Sequence, residues 1–461
     1  MTGPILAFVF VTSALVLTTP LISRYIAFNV RPSPIQDANG SKYKTSFHTP
    51  SSIEGNTITL SSSTSSQSNT APHNGCINYN PSKRTITVSC SSARLTDIDN
   101  KIHDASILAR QSPVGLWFLD ANLVIAKGAT FHIDSTDTTW LKISSKITRV
   151  YGSAKIAPAY VIDVHGSLKI DSLKITSWDP TTNNYAITNG SREAVPPGTK
   201  GATPNGYIIH YGAPRGFIKI EHDATGTTDI TNSEIAYLGY ESESTSDIGS
   251  GGLNYYDANG SVIRGNNIHD LYFGFYSSGV GHMIIENNQV HHNANYGLDP
   301  HTGTHDMIIR HNIVHDNGAQ GIICSLNCYN VLIENNQIYN NGKAGIMFSR
   351  NMSNSVARNN IIFNEVNGIL VSQSHYNKIY NNTISDSQYG INVVFGSSGN
   401  TFYSNVIKNS SHGIDSQDST SNKSKNTFYN NQLINSHSVI SRYNNKPSLG
   451  IAKNRGVLSN F

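Results

Sequence analysis

"IIENNQVHHNANYGLDPH" (284–301), "IIRHNIVHDNGAQGIICS" (308–325) and "LIENNQIYNNGKAGIMFS" (332–349) follow one another and align without a gap. The frame they share runs far beyond them. Asn266, Asn288, Asn312, Asn336, Asn360, Asn382, Asn405 and Asn431 stand two positions before the aliphatic residues Ile268, Val290, Val314, Ile338, Ile362, Ile384, Ile407 and Leu433. Successive spacings lie between 22 and 26 residues. A second series, Gly274, Gly297, Gly321, Gly345, Gly368, Gly390 and Gly413, keeps phase with the first, and each Gly is followed by Phe, Leu or Ile.

Two series in phase at this period predict an all-β fold, a single-stranded right-handed parallel β-helix with roughly 22–26 residues per coil. Each coil then holds three short strands, and equivalent residues stack at ~4.8 Å. Aliphatic residues stack inside, and each ladder Asn hydrogen-bonds the Asn above and below it at a bend. The ladder Gly is expected to supply a corner with positive φ. Leucine-rich repeats share the period, but the Leu-x-x-Leu-x-Leu frame is missing. Two residues before each ladder Asn the column reads Arg264, Glu286, Arg310, Glu334, Arg358, Tyr380, Tyr403 and Tyr429. Alternating charges followed by stacked aromatics fit a structural ladder.

The composition agrees with short strands and tight turns. Only 14% of the 461 residues are charged and 38% are hydrophobic. A net charge of +3 tolerates an acidic polymer, and no basic cluster suggests nucleic acid.

Residues 1–25 read as a secretory signal or a membrane anchor, because the first 22 carry no charge. Arg24 and Arg31 follow the apolar segment, which by the positive-inside rule favours a cytoplasmic body. The sequons at Asn39, Asn189, Asn259, Asn351, Asn381, Asn409 and Asn422, together with the cysteines, favour export, secreted or anchored with the body outside the cell. Residues 26–75 read as a Ser/Thr-rich tether, 76–115 as an N-terminal cap, 116–440 as the β-helix and 441–461 as a tail where the periodicity stops. Cys76 with Cys90, and Cys324 with Cys328, form two close pairs that suit two local disulfides; buried free thiols are the alternative.

One cluster departs from the repeat. Counting from the ladder Gly, position +1 points inward, so +2 and +4 point outward. The +2 column reads Tyr276, Asp299, Ile323, Met347, Leu370, and the +4 column reads Ser278, His301, Ser325, Ser349, Ser372. Asp299 and His301 therefore share an outer face, with Tyr296 at the edge of the same strand, and serines beside a lone His leave a groove. Pro300 between them lacks a ladder donor and marks a distortion.

At these residues the chain resembles mannuronan C5-epimerases, particularly the periplasmic bacterial type and more distantly the secreted calcium-dependent ones. The resemblance rests on "YGLDPH" (296–301), supported by "DLYFGFY" (270–276), "ITSWD" (175–179) and "IAYLGY" (235–240), and spans about residues 115–400. It implies an enzyme that inverts C5 of β-D-mannuronate to α-L-guluronate within a polymer. Two positions depart from the family pattern. Thr302 stands where many members carry a second acid, and Leu326 where an Arg is expected. Arg350 occupies the latter slot one coil farther on; two strand spacings, ~10 Å, place it too far from His301 to touch the same group.

Removing the C5 proton of a uronate leaves an anion beside a carboxylate. The reaction therefore needs a neutralising cation, a base on one face of the ring and a proton donor on the other. The expected assignment makes His301 and Tyr296 the base and acid, with water able to fill one role. Asp299 orients His301 or hydrogen-bonds the substrate carboxyl, Arg350 is the cation and Tyr276 a platform for the sugar. A lyase that expels the C4 oxygen shares the first step, and a non-catalytic glycan-binding surface protein is the alternative of a different class. No metal site is evident and no cofactor is expected. The expected partner is an anionic polysaccharide, and the chain is expected to be monomeric, with membrane attachment possible through the N-terminal apolar segment.

Overall fold

The computed structural model describes residues 75–145, 159–187, 214–240, 250–418 and 425–442, together with several short pieces up to Gly456. The expected leader or anchor, nearly all of the tether and most of the tail lie outside the described residues. Among the described residues no helix is long and apolar enough to cross a membrane.

Three parallel sheets wind around one core as a right-handed parallel β-helix, the hand that parallel crossovers adopt. Each coil gives one strand to each sheet. In one coil these are Phe273–Ser278, Ile284–Glu286 and Gln289–His291, and the next coil begins with Leu298–His301. The pairing starts where Thr85–Val88 lies parallel to Asn122–Ile125. Before it come an antiparallel hairpin, Ile77–Asn80 with Thr85–Val88, closed by the Cys76–Cys90 disulfide, and after it the eight-residue helix Leu95–Ile102. Parts of 180–210 form side excursions: Asn184–Tyr185 folds back on Trp178–Asp179, and Ser191–Ala194 pairs with Tyr207–His210. Pairing also continues past residue 440, through Ile451–Ala452 and Arg455–Gly456, so two sheets extend into the tail.

The ladder aliphatics from Ile268 to Ile407 are fully buried, and Ile263, Ile285, Ile309 and Ile333 form a parallel column on another sheet. The ladder asparagines form a continuous hydrogen-bonded chain. Asn288 Nδ2 donates to Asn312 Oδ1 at 2.9 Å, and the link repeats from Asn266 to Asn431. Each Nδ2 also donates to a backbone carbonyl, as Asn312 does to Ile285 at 2.9 Å, so from Asn266 to Asn405 both amide protons have partners. Arg264 and Arg310 both bind Glu286, at 2.5 and 2.6 Å, and Arg358 binds Glu334, while Tyr380, Tyr403 and Tyr429 stack above them.

The ladder glycines serve a different purpose from the one expected. Gly274, Gly297 and Gly321 are not at positive φ. A Cβ on Gly274 would come within 2.4 Å of the Gly297 carbonyl, and one on Gly297 within 2.5 Å of the Gly321 carbonyl. The constraint is the close approach of successive coils. Positive φ falls instead on the residue before the ladder Asn, at Asn287, Asn335, Asn359, Asn381 and Asn430, where Asn tolerates the left-handed region.

The second expected disulfide is absent. Cys324 and Cys328 are buried free thiols. Cys324 stands opposite Phe348 in the strand register and points into the core, while the Cys328 Sγ approaches the Ser325 carbonyl at 3.2 Å and the Pro300 carbonyl at 3.6 Å. Both thiols face the same core, and that of Cys328 is directed to backbone carbonyls.

Candidate active site

His301 ends the Leu298–His301 strand, next to Ser278 on the coil before and Ser325 on the coil after. The imidazole lies half-buried on the outer face of the sheet, with only hydroxymethyl groups at its register positions on the two neighbouring coils. Its Nδ1 is 2.6 Å from Thr302 Oγ1, and its Nε2 is 2.7 Å from Arg350 Nη2. A guanidinium has only protons to offer, so Nε2 accepts and Nδ1 carries the hydrogen that Thr302 receives. The Thr302 hydroxyl in turn hydrogen-bonds the Tyr276 phenol. The sequence Tyr276–Thr302–His301–Arg350 thus fixes the tautomer of the imidazole.

The contact with Arg350 corrects the sequence reading. Backbone spacing alone put the two residues too far apart. Arg350 lies at a corner with φ of 48°, and its side chain runs back along the stack, donating from Nε to Ser325 Oγ at 2.8 Å on the way. Ser325, in the coil between, is small enough to let it pass. The guanidinium remains exposed to solvent.

Burial and, second, the Arg350 charge hold the imidazole at about 4, so His301 is a neutral base throughout the neutral range. Asp299 is only 2% exposed and its Oδ1 has no hydrogen-bond partner. Burial pushes its carboxyl well above the usual carboxylate range, with Arg350 opposing. Since Thr302 and Arg350 occupy both ring nitrogens, Asp299 does not orient His301 through a hydrogen bond. Tyr276 is pushed up to about 12 by burial and then by Asp299, and stays a phenol.

Of the residues read from the sequence, Tyr276, Asp299, His301 and Arg350 come together. Tyr276 lies against the imidazole, with ring centroids 5.6 Å apart. Tyr296 stacks on Phe273 at 5.4 Å, and Phe273 meets Tyr276 at 6.1 Å, so the two tyrosines line one continuous aromatic wall. Thr302 and Ser325 do more than the sequence indicates: Thr302, a departure from the family pattern directly after "DPH", binds the imidazole, and Ser325, one of the serines expected to leave a groove, also binds Arg350.

No curated protein sequence matches the chain. The profile of the family described as "Periplasmic copper-binding protein (NosD)" matches residues 221–423 and 326–450, within the repeat. Among the described residues no group of three or more His, Cys, Asp or Glu side chains is placed to hold a metal ion. Among solved structures the chain is similar to the periplasmic alginate epimerase AlgG. The identity is 20%, the TM-score 0.61, and 76% of this chain and 80% of that one are covered. It is also similar to the A-module of the Azotobacter vinelandii mannuronan C-5 epimerase AlgE4 (14% identity, TM-score 0.43, 70% and 91% covered). A third is PfbA, a surface adhesin of Streptococcus pneumoniae (13% identity, TM-score 0.47, 78% and 92% covered). The chain has the right-handed parallel β-helix fold, in the form that the periplasmic alginate epimerase also displays.

Proposed function

We propose that the chain acts outside the cytoplasm on an anionic polysaccharide, as a C5-epimerase that converts a polymeric uronate of the β-D-mannuronate type to the α-L-guluronate type. The observation that carries this reading is the neutral His301, whose Nε2 lone pair is held by the exposed Arg350 at 2.7 Å above a buried Asp299. The periplasmic setting and the substrate named for AlgG support it.

In the reaction the uronate carboxylate draws the Arg350 guanidinium off the imidazole. Salt formation neutralises the group next to C5 and frees Nε2 in the same movement. Asp299, whose carboxyl burial holds above the usual carboxylate range, stays behind this group and limits the negative charge next to it. Nε2 takes the C5 proton, and the electron pair of the broken C–H bond spreads into the carboxyl. A proton delivered to the opposite face, from Tyr296 or a water beside the aromatic wall, restores a C–H bond with inverted configuration. Thr302 receives the Nδ1 hydrogen throughout and supports the positive imidazolium. No electrons are gained or lost overall.

The test is incubation of the protein with polymannuronate and other polyuronates, followed by proton NMR. Inverted residues without unsaturated ends are expected. Unsaturated ends would make the protein a lyase, and unchanged polymer that nevertheless binds would make it a glycan-binding protein.

A further inference from the structure

The outer sheet face that carries His301 has two unlike arms. Its floor is the outward column that runs through Asn254, Tyr276 and Asp299 and continues, in register, through Ile323, Met347, Leu370, Asn392 and Asp415. The coil of Arg350 also carries Lys343 on the opposite rim, so that coil can meet an anion. The next two coils cannot. Their groove segments, "VNGILVSQ" (366–373) and "QYGINVVF" (388–395), contain no charged residue, and the coil after them presents Asp415.

The rim changes in the same direction. Thr302, Leu326, Arg350, Gln373 and Phe395 occupy equivalent corners with positive φ, so they stand in line along the stack. Two coils beyond the guanidinium, that line ends in Phe395, which is 72% exposed. A non-glycine residue in this backbone region is uncommon, and a phenylalanine there that stays in solvent gains nothing from the core. The floor of these two coils carries half-buried Leu370 and then the uncharged amide of Asn392, after Met347 in the coil of Arg350.

A sugar residue and a coil have similar lengths along the stack, ~4.8 Å for the coil. A homopolymer of uronate would therefore set successive carboxylates over Leu370 and Phe395, where no cation replaces their water. An uncharged pyranose offers C–H faces suited to Leu370 and an aromatic rim, and hydroxyls suited to the Asn392 amide. We propose that the two coils on the C-terminal side of Arg350 are subsites for neutral sugar residues, so that the substrate is a heteropolymer whose reacting uronate is followed there by uncharged sugars. This rests on His301 being the uronate site.

The experiment compares polymannuronate with the same polymer partly reduced at its carboxyls, so that mannose residues interrupt the uronates. Binding and C5 deuterium uptake in heavy water are both measured on the intact protein. The reduced polymer is expected to bind and exchange roughly tenfold better. Phe395→Ala, at an exposed corner, should raise KM for the reduced polymer at constant kcat, and Leu370→Lys should shift preference back to the homopolymer. Equal or better use of polymannuronate by the unaltered protein, or failure to bind the reduced polymer, overturns the subsites. Deuterium uptake into neither polymer, with tighter binding of the reduced one that Phe395→Ala abolishes, keeps the subsites and removes the catalytic reading.

Discussion

One histidine in each of two settings on this molecule, His291 and His301, has been pushed to the same acidity for different reasons. His269, His291 and His315 stack along one sheet, ring on ring at 5.0 and 4.9 Å, and continue into Tyr339 and Phe363. His291 is held at about 4 by burial and by the imidazoles around it. His301 on the neighbouring sheet is also held at about 4, but by burial and the single charge of Arg350. In the stack each ring extends the repeat, and the same column continues with a phenol and a phenyl ring at Tyr339 and Phe363. At residue 301 the repeat is broken, with serines on both sides and an arginine arriving from two coils away. A low imidazole pKa alone does not distinguish the two; what each ring nitrogen faces does.

The largest contrast between the two groups is expected in activity. His301→Gln and Arg350→Gln should each lower the rate of C5 inversion by about 10³-fold or more, since one removes the base and the other the carboxylate clamp. His291→Gln should leave the rate unchanged and lower stability by about 1 kcal/mol through loss of stacking. Equal losses of activity at 291 and 301 would erase the distinction.

The stacked ladders carry stability, so their rupture is the next effect in size. Asn336→Ala removes the acceptor of Asn312 Nδ2 and the donor to the Ile309 carbonyl, both buried. A cost of about 2–4 kcal/mol is expected in urea unfolding, because partners are left unsatisfied.

A second asparagine ladder gives a pH-dependent prediction. Asn293, Asn317 and Asn341 are linked as the first ladder is, but the next rung is Glu365, which accepts from Asn341 at 2.8 Å and leaves Oε2 buried without a partner. Burial raises Glu365 from 4.5 to about 8. The raised value means that the folded state holds a proton the unfolded state releases. Stability therefore falls as pH rises from about 4.5 to about 8. Glu365→Gln should flatten that part of the melting-temperature profile and raise the melting temperature at neutral pH. The rung is far from His301 in role, so C5 inversion should be unaffected.

The smallest effect concerns the thiols. Cys324 and Cys328 should resist a thiol reagent in the folded protein and both react on unfolding. Burial raises Cys328 to about 12, so little thiolate is present. Two thiols that stay unreactive even after unfolding without reductant would restore the second disulfide.

The fold was legible because its forces repeat. A period of 22 to 26 residues in Asn, Gly and aliphatic residues exposes stacking directly. The reason for the glycines was not legible, since a positive φ and a close approach of backbones select the same residue. The burial of Cys324 could have been read from the strand alternation, but that of Cys328, in the turn after the strand, could not; nor could the burial of Asp299, which the alternation places on the outer face and the structure leaves 2% exposed. At the site, the strand that carries Asp299 and His301 followed from the ladder. The reach of Arg350 did not, because it depends on side-chain length and on the small Ser325 beneath it rather than on coil spacing. Glu365 occupies a rung whose asparagines recur at the same interval, a pattern that a search for a second ladder would reveal.

The central claim is that His301, released by Arg350, removes a proton from C5 of a uronate. Its most direct test is deuterium incorporation at C5 of polymer-bound uronate in heavy water, measured for the unaltered protein and for His301→Gln under conditions where both bind the polymer. The account predicts incorporation at C5 by the former and none by the latter. Undiminished incorporation by His301→Gln would contradict it.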